Sequence, residues 1–123
     1  HPQKATALME VGYHALRAGE AESGRAALDE GIAMAQVLAS PSELLGWRLL
    51  ARGLAARADW TTLAEVADAA RSRCVALQMD RSSRCFEIEA LGLRAALALG
   101  SNPPDLVQAE ALEAAIREAG AGG

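Results

Sequence analysis

Apolar residues recur along this chain at helical spacing, and Gly and Pro interrupt the pattern sharply. Six helical stretches are predicted between the interruptions, at roughly 3–18, 21–38, 42–57, 60–78, 82–99 and 104–119. The breaks are Ala18-Gly19-Glu20, Ala39-Ser40-Pro41-Ser42, Arg57-Ala58-Asp59-Trp60, Met79-Asp80-Arg81-Ser82 and the run from Gly100 to Pro104. Ser40 suits an N-cap, with Pro41 at the first helical position and Glu43 at capping-box spacing; Asp59 is a second natural N-cap. Helix three places Leu44, Trp47, Leu50, Ala51 and Leu54 on one stripe, and helix four does the same with Leu63, Val66, Ala67, Ala70 and Cys74. Neither helix is long enough to bury its stripe alone, and short connections force consecutive helices to run antiparallel. The expected domain is therefore one array over 1–123, built from pairs at about 3–38, 42–78 and 82–119.

The interruptions inside the pairs fall at Gly19, Ala58 and Gly100, which is every 39 to 42 residues. Such self-similarity is the mark of a helical solenoid. The middle unit reads Trp47-x2-Leu50-Ala51-x2-Leu54, then Ala58-Asp59-Trp60, then Leu63-x3-Ala67-x2-Ala70. Leu8-x2-Val11-Gly12-x2-Ala15 before Gly19, and Glu89-x2-Gly92-Leu93-x2-Ala96 before Gly100, read as degenerate copies. This pattern resembles the tetratricopeptide repeat, whose small residues sit where two helices cross; here they are Gly12, Ala51, Ala67 and Ala70. The longer Ala/Leu/Arg-rich period looks like the arrays of large bacterial regulators such as MalT-like activators, where an ATPase domain precedes and a LuxR-type DNA-binding domain follows. The resemblance implies an all-α fold, with antiparallel helix pairs stacked as a right-handed solenoid of about six helices. It also implies a binding role in regulation of transcription or signalling.

Composition adds limits. Hydrophobic residues make up 51% of the 123 and aromatics only 3%, so the apolar content is mostly Ala and Leu, which suits closely approaching helices. A net charge of −4 argues against nucleic acid as a direct partner. All but Lys4 of the 12 basic residues are Arg, an imbalance that goes with a GC-rich bacterial genome. No apolar run is long enough for a transmembrane helix and no signal peptide is visible, so the expected location is cytoplasmic, with no membrane partner. The ends, His1-Pro2 and the Gly-Ala-Gly-Gly tail, read as those of a piece excised from something longer.

No phosphate-binding loop, H-E-x-x-H, C-x-x-C or G-x-S-x-G occurs, so no enzyme activity, catalytic residue, cofactor or metal is expected. His1 is terminal and His14 is a lone helical histidine without clustered ligands. Cys74 and Cys85 lie symmetrically about the turn at Met79-Asp80. A hairpin there could bring them within disulfide range, but a cytoplasmic setting favours two reduced thiols packed as small apolar groups, with a redox switch the lesser reading. The acidic residues, among them Glu20, Glu22, Asp29, Glu30 and Glu110, scatter as a solvated face.

The sharpest site hypothesis concerns arginine. In tetratricopeptide-like arrays the first helix of each pair lines a concave groove. Here that would be Met9, Tyr13, Leu16 and Arg17 on helix one, with Leu45, Arg48, Arg52, Ala55 and Ala56 on helix three. Helix five would add Ala90, Arg94 and Leu97. Tyr13, Arg17, Arg48, Arg52 and Arg94 would then be the partner-binding residues, and guanidinium forks suit a protein or an acidic peptide. The bland alternative is that these arginines pair with neighbouring glutamates or face water. The leading functional reading is a non-catalytic protein- or peptide-binding module, acting with its own flanking domains. A small-molecule effector sensor, or a self-associating spacer that forms a homodimer, are the alternatives.

Overall fold

The computed structural model describes residues 2–100, together with Glu110 and Ala114. Five helices follow one another: α1 Pro2–Arg17, α2 Ala21–Val37, α3 Glu43–Ala56, α4 Trp60–Ala76 and α5 Ser83–Ala98. No strand occurs among the described residues, so the class is all-α. The boundaries fall within two residues of those expected from the Gly and Pro breaks. The sixth expected helix, 104–119, lies outside the described residues apart from Glu110 and Ala114. No described helix is long and apolar enough to cross a membrane.

The chain forms two compact units, residues 1–58 with α1, α2 and α3, and residues 59–123 with α4 and α5. In the first, glycine decides how closely the helices approach. A Cβ on Gly24 of α2 would lie 2.6 Å from the backbone N of Leu16 and 2.8 Å from the carbonyl O of Gly12. A Cβ on Gly31 would lie 2.9 Å from the carbonyl O of Ala5. The backbones of α1 and α2 therefore touch, which only residues without side chains permit. On α3, Gly46 receives Met9 and Ile32, and Gly53 receives Leu16, so α3 seats against both other helices. α3 is buried around most of its circumference, from Glu43, Leu44 and Gly46 through Leu49, Leu50, Ala51, Gly53 and Leu54.

Two sequence expectations are corrected here. The buried stripe of α1 is Ala5, Met9, Gly12 and Leu16, not Leu8, Val11, Gly12 and Ala15. Val11 is 63% exposed. The helix is rotated by roughly 80° from the expected phase, at about 100° per residue. Second, Ser40 and Glu43 do not form a capping box. The Ser42 N–H donates to Ser40 Oγ across a tight turn, and α3 starts at Glu43, whose carboxylate turns inward. Glu43 is 1% exposed, and its Oε2 accepts from Gln36 Nε2 and Trp47 Nε1, each at 3.1 Å. A carboxylate at a helix N-terminus is also favoured by the helix dipole. Asp59 precedes α4 as expected but makes no side-chain cap hydrogen bond.

Each helix ends in the same way. Gly19, Ala39, Ala58, Gln78 and Gly100 all have positive φ. After α1, α2 and α4 the next N–H reaches back to close a Schellman turn: Glu20 to the Ala15 carbonyl, Ser40 to Ala35 and Met79 to Cys74. Ala39, Ala58 and Gln78 adopt a left-handed conformation that costs an L-residue about 1–2 kcal/mol. Replacing each with Gly should raise stability by about 0.5–1 kcal/mol, because Gly's greater unfolded-state entropy cancels part of the gain. The triple variant should melt several degrees higher; an unchanged or lower midpoint would show that the left-handed turns are not strained.

Candidate functional site

Two adjoining cavities lie in the second unit. α4 and α5 run antiparallel, joined by residues 77–82. They cross at small residues: a Cβ on Gly92 would lie 2.6 Å from the Cβ of Ala67. The buried stripe of α4 is the one expected, Leu63, Val66, Ala67, Ala70 and Cys74. It meets Cys85, Ile88 and Ala95 of α5, while the fourth buried residue of that helix, Ala90, lies roughly 140–160° around from them.

Beside this seam runs a groove. One cavity of about 280 Å³ is lined by Ala64, Ala67, Asp68 and Arg71 from α4 and Glu89, Gly92, Leu93 and Ala96 from α5. A second, of about 450 Å³, is lined by Arg71, Val75, Asp80, Arg81, Phe86 and Glu89, so the two share Arg71 and Glu89. From Ala64 to Val75 the α4 wall is roughly 16 Å long at about 1.5 Å per residue. The floor is small, and the walls carry Val75, Phe86 and Leu93 as apolar surface, with Val75 61% exposed. Asp68, Arg71, Asp80, Arg81 and Glu89 supply charges of both signs, and among the described residues none of them is held in an ion pair.

The sequence-derived arginine site is distributed differently. Tyr13 and Arg17 do come together on α1, the guanidinium carbon standing 5.6 Å from the ring centroid, while His14 packs at 5.7 Å on the same ring. Leu45, Arg48, Arg52, Ala55 and Ala56 lie along one less buried side of α3, with Arg48 half-buried and Arg52 exposed. Arg94 is exposed on α5, in the other unit. Arg48, Arg52 and Arg94 are each already engaged by a neighbouring group. Three expected groove residues are core instead: Met9, Leu16 and Ala90 are 0%, 1% and 5% exposed. For Met9 and Leu16 this follows from the actual phase of α1, which turns them toward Gly31, Gly46 and Gly53.

The α4–α5 groove was missed because attention to the first helix of each pair leaves out α4. A signal was present. Positions 64, 68, 71 and 75 recur at helical spacing beside the buried stripe of α4, and 86, 89, 93 and 96 do so on α5. An antiparallel hairpin places those stripes side by side.

Cys74 and Cys85 form a disulfide, not the two reduced thiols expected. The short connection brings their Cα atoms to 6.2 Å, within the range a disulfide requires. The bond ties the last turn of α4 to the first turn of α5. On α5, Ser82 caps the helix by accepting from the Cys85 N–H at 3.3 Å.

A further apolar surface lies on α2, where Glu30, Ala33, Met34, Val37 and Leu38 line a shallow cavity of about 350 Å³. No cluster of His, Cys, Asp or Glu suited to a metal ion occurs among the described residues. Compared with protein-family models, curated proteins and solved structures, the chain matches none.

Proposed function

We propose that this chain is a non-catalytic protein- or peptide-binding module, and that the α4–α5 groove is its principal contact surface. The observation that carries this reading is the pair of adjoining cavities lined by Val75, Phe86 and Leu93 and by five charges that, among the described residues, are not held in ion pairs. Charges already engaged elsewhere gain little from a partner, whereas unpaired ones beside apolar surface gain both attraction and register. The small floor at Ala64, Ala67, Gly92 and Ala96 lets a helical segment sit close, in the helix-in-groove mode. A segment with both acidic and basic residues flanking an apolar stripe suits this set better than a purely acidic one. Solenoid stacking of the helices, with a sixth helix completing the third pair, and a place within a larger bacterial signalling or transcription regulator, belong to the same reading. They rest on the tetratricopeptide-like and MalT-like pattern of the sequence.

The test is an array of acidic, basic and mixed-charge amphipathic peptides, probed with the unaltered chain, with Arg71→Glu/Glu89→Arg and with Arg48→Glu/Arg52→Glu. Mixed-charge peptides should bind the unaltered chain, and the Arg71/Glu89 variant should bind at least tenfold more weakly, the scale of losing one or two partly buried charge contacts. If only the Arg48/Arg52 variant loses binding, the α3 stripe is the site. A second reading, effector sensing, is favoured by the 450 Å³ cavity, which has the size of a small-molecule site and offers Arg71, Arg81 and Phe86 to an anionic aromatic compound. Thermal stabilisation by such compounds, with no peptide bound, would move that reading to the front.

A further inference from the structure

We infer that the oxidation state of Cys74–Cys85 sets whether the α4–α5 groove is formed; this rests on the groove being the binding surface. The disulfide closes the end of the hairpin where the larger cavity lies. Its two cysteines are followed directly in sequence by Val75 and Phe86, which line that cavity, and the loop between them supplies Asp80 and Arg81. One covalent bond therefore fixes the spacing of both walls at once. No other covalent link joins the two helices at that end. The side chains facing each other across the seam there are the cysteines themselves; one turn further in, Ile88 packs beside the small residues Ala70, Ala67 and Gly92, and Leu63 lies at the far end.

Reduction runs by thiol–disulfide exchange with a dithiol as co-reactant. A thiolate of the dithiol attacks one sulfur, the Cys74–Cys85 bond breaks, and the other cysteine leaves as a thiolate. The second thiol of the reductant then displaces the remaining cysteine. Two electrons and two protons pass to Cys74 and Cys85, and the reductant becomes the disulfide. Both cysteines are buried, so the attack requires the hairpin to open first. Once reduced, they still pack as small apolar groups, but the closed-loop restraint on the 11-residue separation is gone and the hairpin opens more often. An oxidising compartment would hold the groove formed, and a glutathione-buffered one would relax it.

The experiment compares the full chain oxidised, the chain reduced with a trialkylphosphine, and a Cys74→Ser/Cys85→Ser variant. Hydrogen exchange is read over residues 70–90, with residues 5–35 as an internal control, and thiols are counted by alkylation and mass. The same mixed-charge peptide array is applied to all three. The expected result is protection over 70–90 lowered on the order of 100-fold in both thiol-free and reduced forms, with 5–35 unchanged, and peptide binding lost in parallel. Equal protection in all three forms would overturn the inference. Lowered protection with undiminished binding would also overturn it, by showing that the clamp does not govern the surface that binds. Lowered protection with no peptide bound by any form would leave the clamp standing and defeat the binding reading on which its function rests.

Discussion

Substituting Gly24 with Val should unfold much of the first unit's stability, by about 3 kcal/mol or more, while Gly24→Ala costs about 2 kcal/mol. Overpacking usually costs 1–3 kcal/mol, and this site lies at the upper end because the obstacles are backbone atoms that cannot swing aside. The added Cβ would meet the Leu16 N at 2.6 Å, the Gly12 carbonyl at 2.8 Å and the Leu16 Cα at 3.0 Å. Relief requires α1 and α2 to separate along their length, which also withdraws Met9 and Leu16 from Gly46 and Gly53 of α3. Opposing this, Ala or Val in place of Gly improves helix propensity, by at most about 1 kcal/mol for Ala. Steric cost exceeds that gain. Urea denaturation followed by circular dichroism reads the difference, and a Gly24→Ala chain as stable as the parent would show that the two backbones do not touch.

Glu43→Ala is the second large effect, expected at about 3 kcal/mol. Glu43 is the buried charged residue among the described residues, and removing it strands the donors it satisfies. The Gln36 amide and the Trp47 indole N–H would each lose an acceptor within a largely dry site. Leaving partners of a buried charge unsatisfied costs more than the net worth of the contacts, typically 3–5 kcal/mol for a buried pair and less here because Gln36 can reach water. Glu43→Gln keeps an acceptor of the same shape and should cost only about 1 kcal/mol. The Trp47 indole proton resonance offers an independent reading: it should move strongly in the Ala variant and slightly in the Gln variant. Equal losses from Ala and Gln would place the effect in the charge at the helix terminus instead of in the hydrogen bonds.

Both effects bear on function through geometry. The first unit presents the α3 sector with Arg48 and Arg52, and Glu43, Gly46 and Gly53 fix how α3 lies on α1 and α2. The α4–α5 groove is held by its own seam and by the disulfide, so neither substitution should disturb peptide binding there except through global unfolding.

Much of the secondary structure was legible because its signals are local. A Gly or Pro break acts on its own φ and its own missing hydrogen bond, whatever the rest of the chain does. The turns at Gly19 and Gly100 therefore stand where the sequence places them, as does the buried stripe of α4; of the stripe expected on α3, Leu44, Leu50, Ala51 and Leu54 are buried and Trp47 is half-buried. Which face of α1 is buried was not legible in the same way. Ala5, Met9, Gly12 and Leu16 compete with Leu8, Val11, Gly12 and Ala15, two apolar stripes that share Gly12. The choice was made by α2, whose Gly24 and Gly31 admit the backbone at Gly12 and Ala5 and so turn Met9 and Leu16 toward α3.

The site divides along the same line. The sequence alone pointed to α4 and α5 as an antiparallel hairpin, because a short connection favours that arrangement of consecutive helices. It also placed Cys74 and Cys85 symmetrically about the turn. Only tertiary structure decided that those sulfurs bond, since that depends on a 6.2 Å separation between Cα atoms set by how the helices cross. It decided as well which arginines are engaged and which line a groove. Arg48, Arg52 and Arg94 are engaged by neighbours, while Arg71 and Arg81 stand beside Phe86 and Glu89 in an open cavity. Charge type is written in the residue; whether that charge has a partner depends on packing between elements distant in the chain.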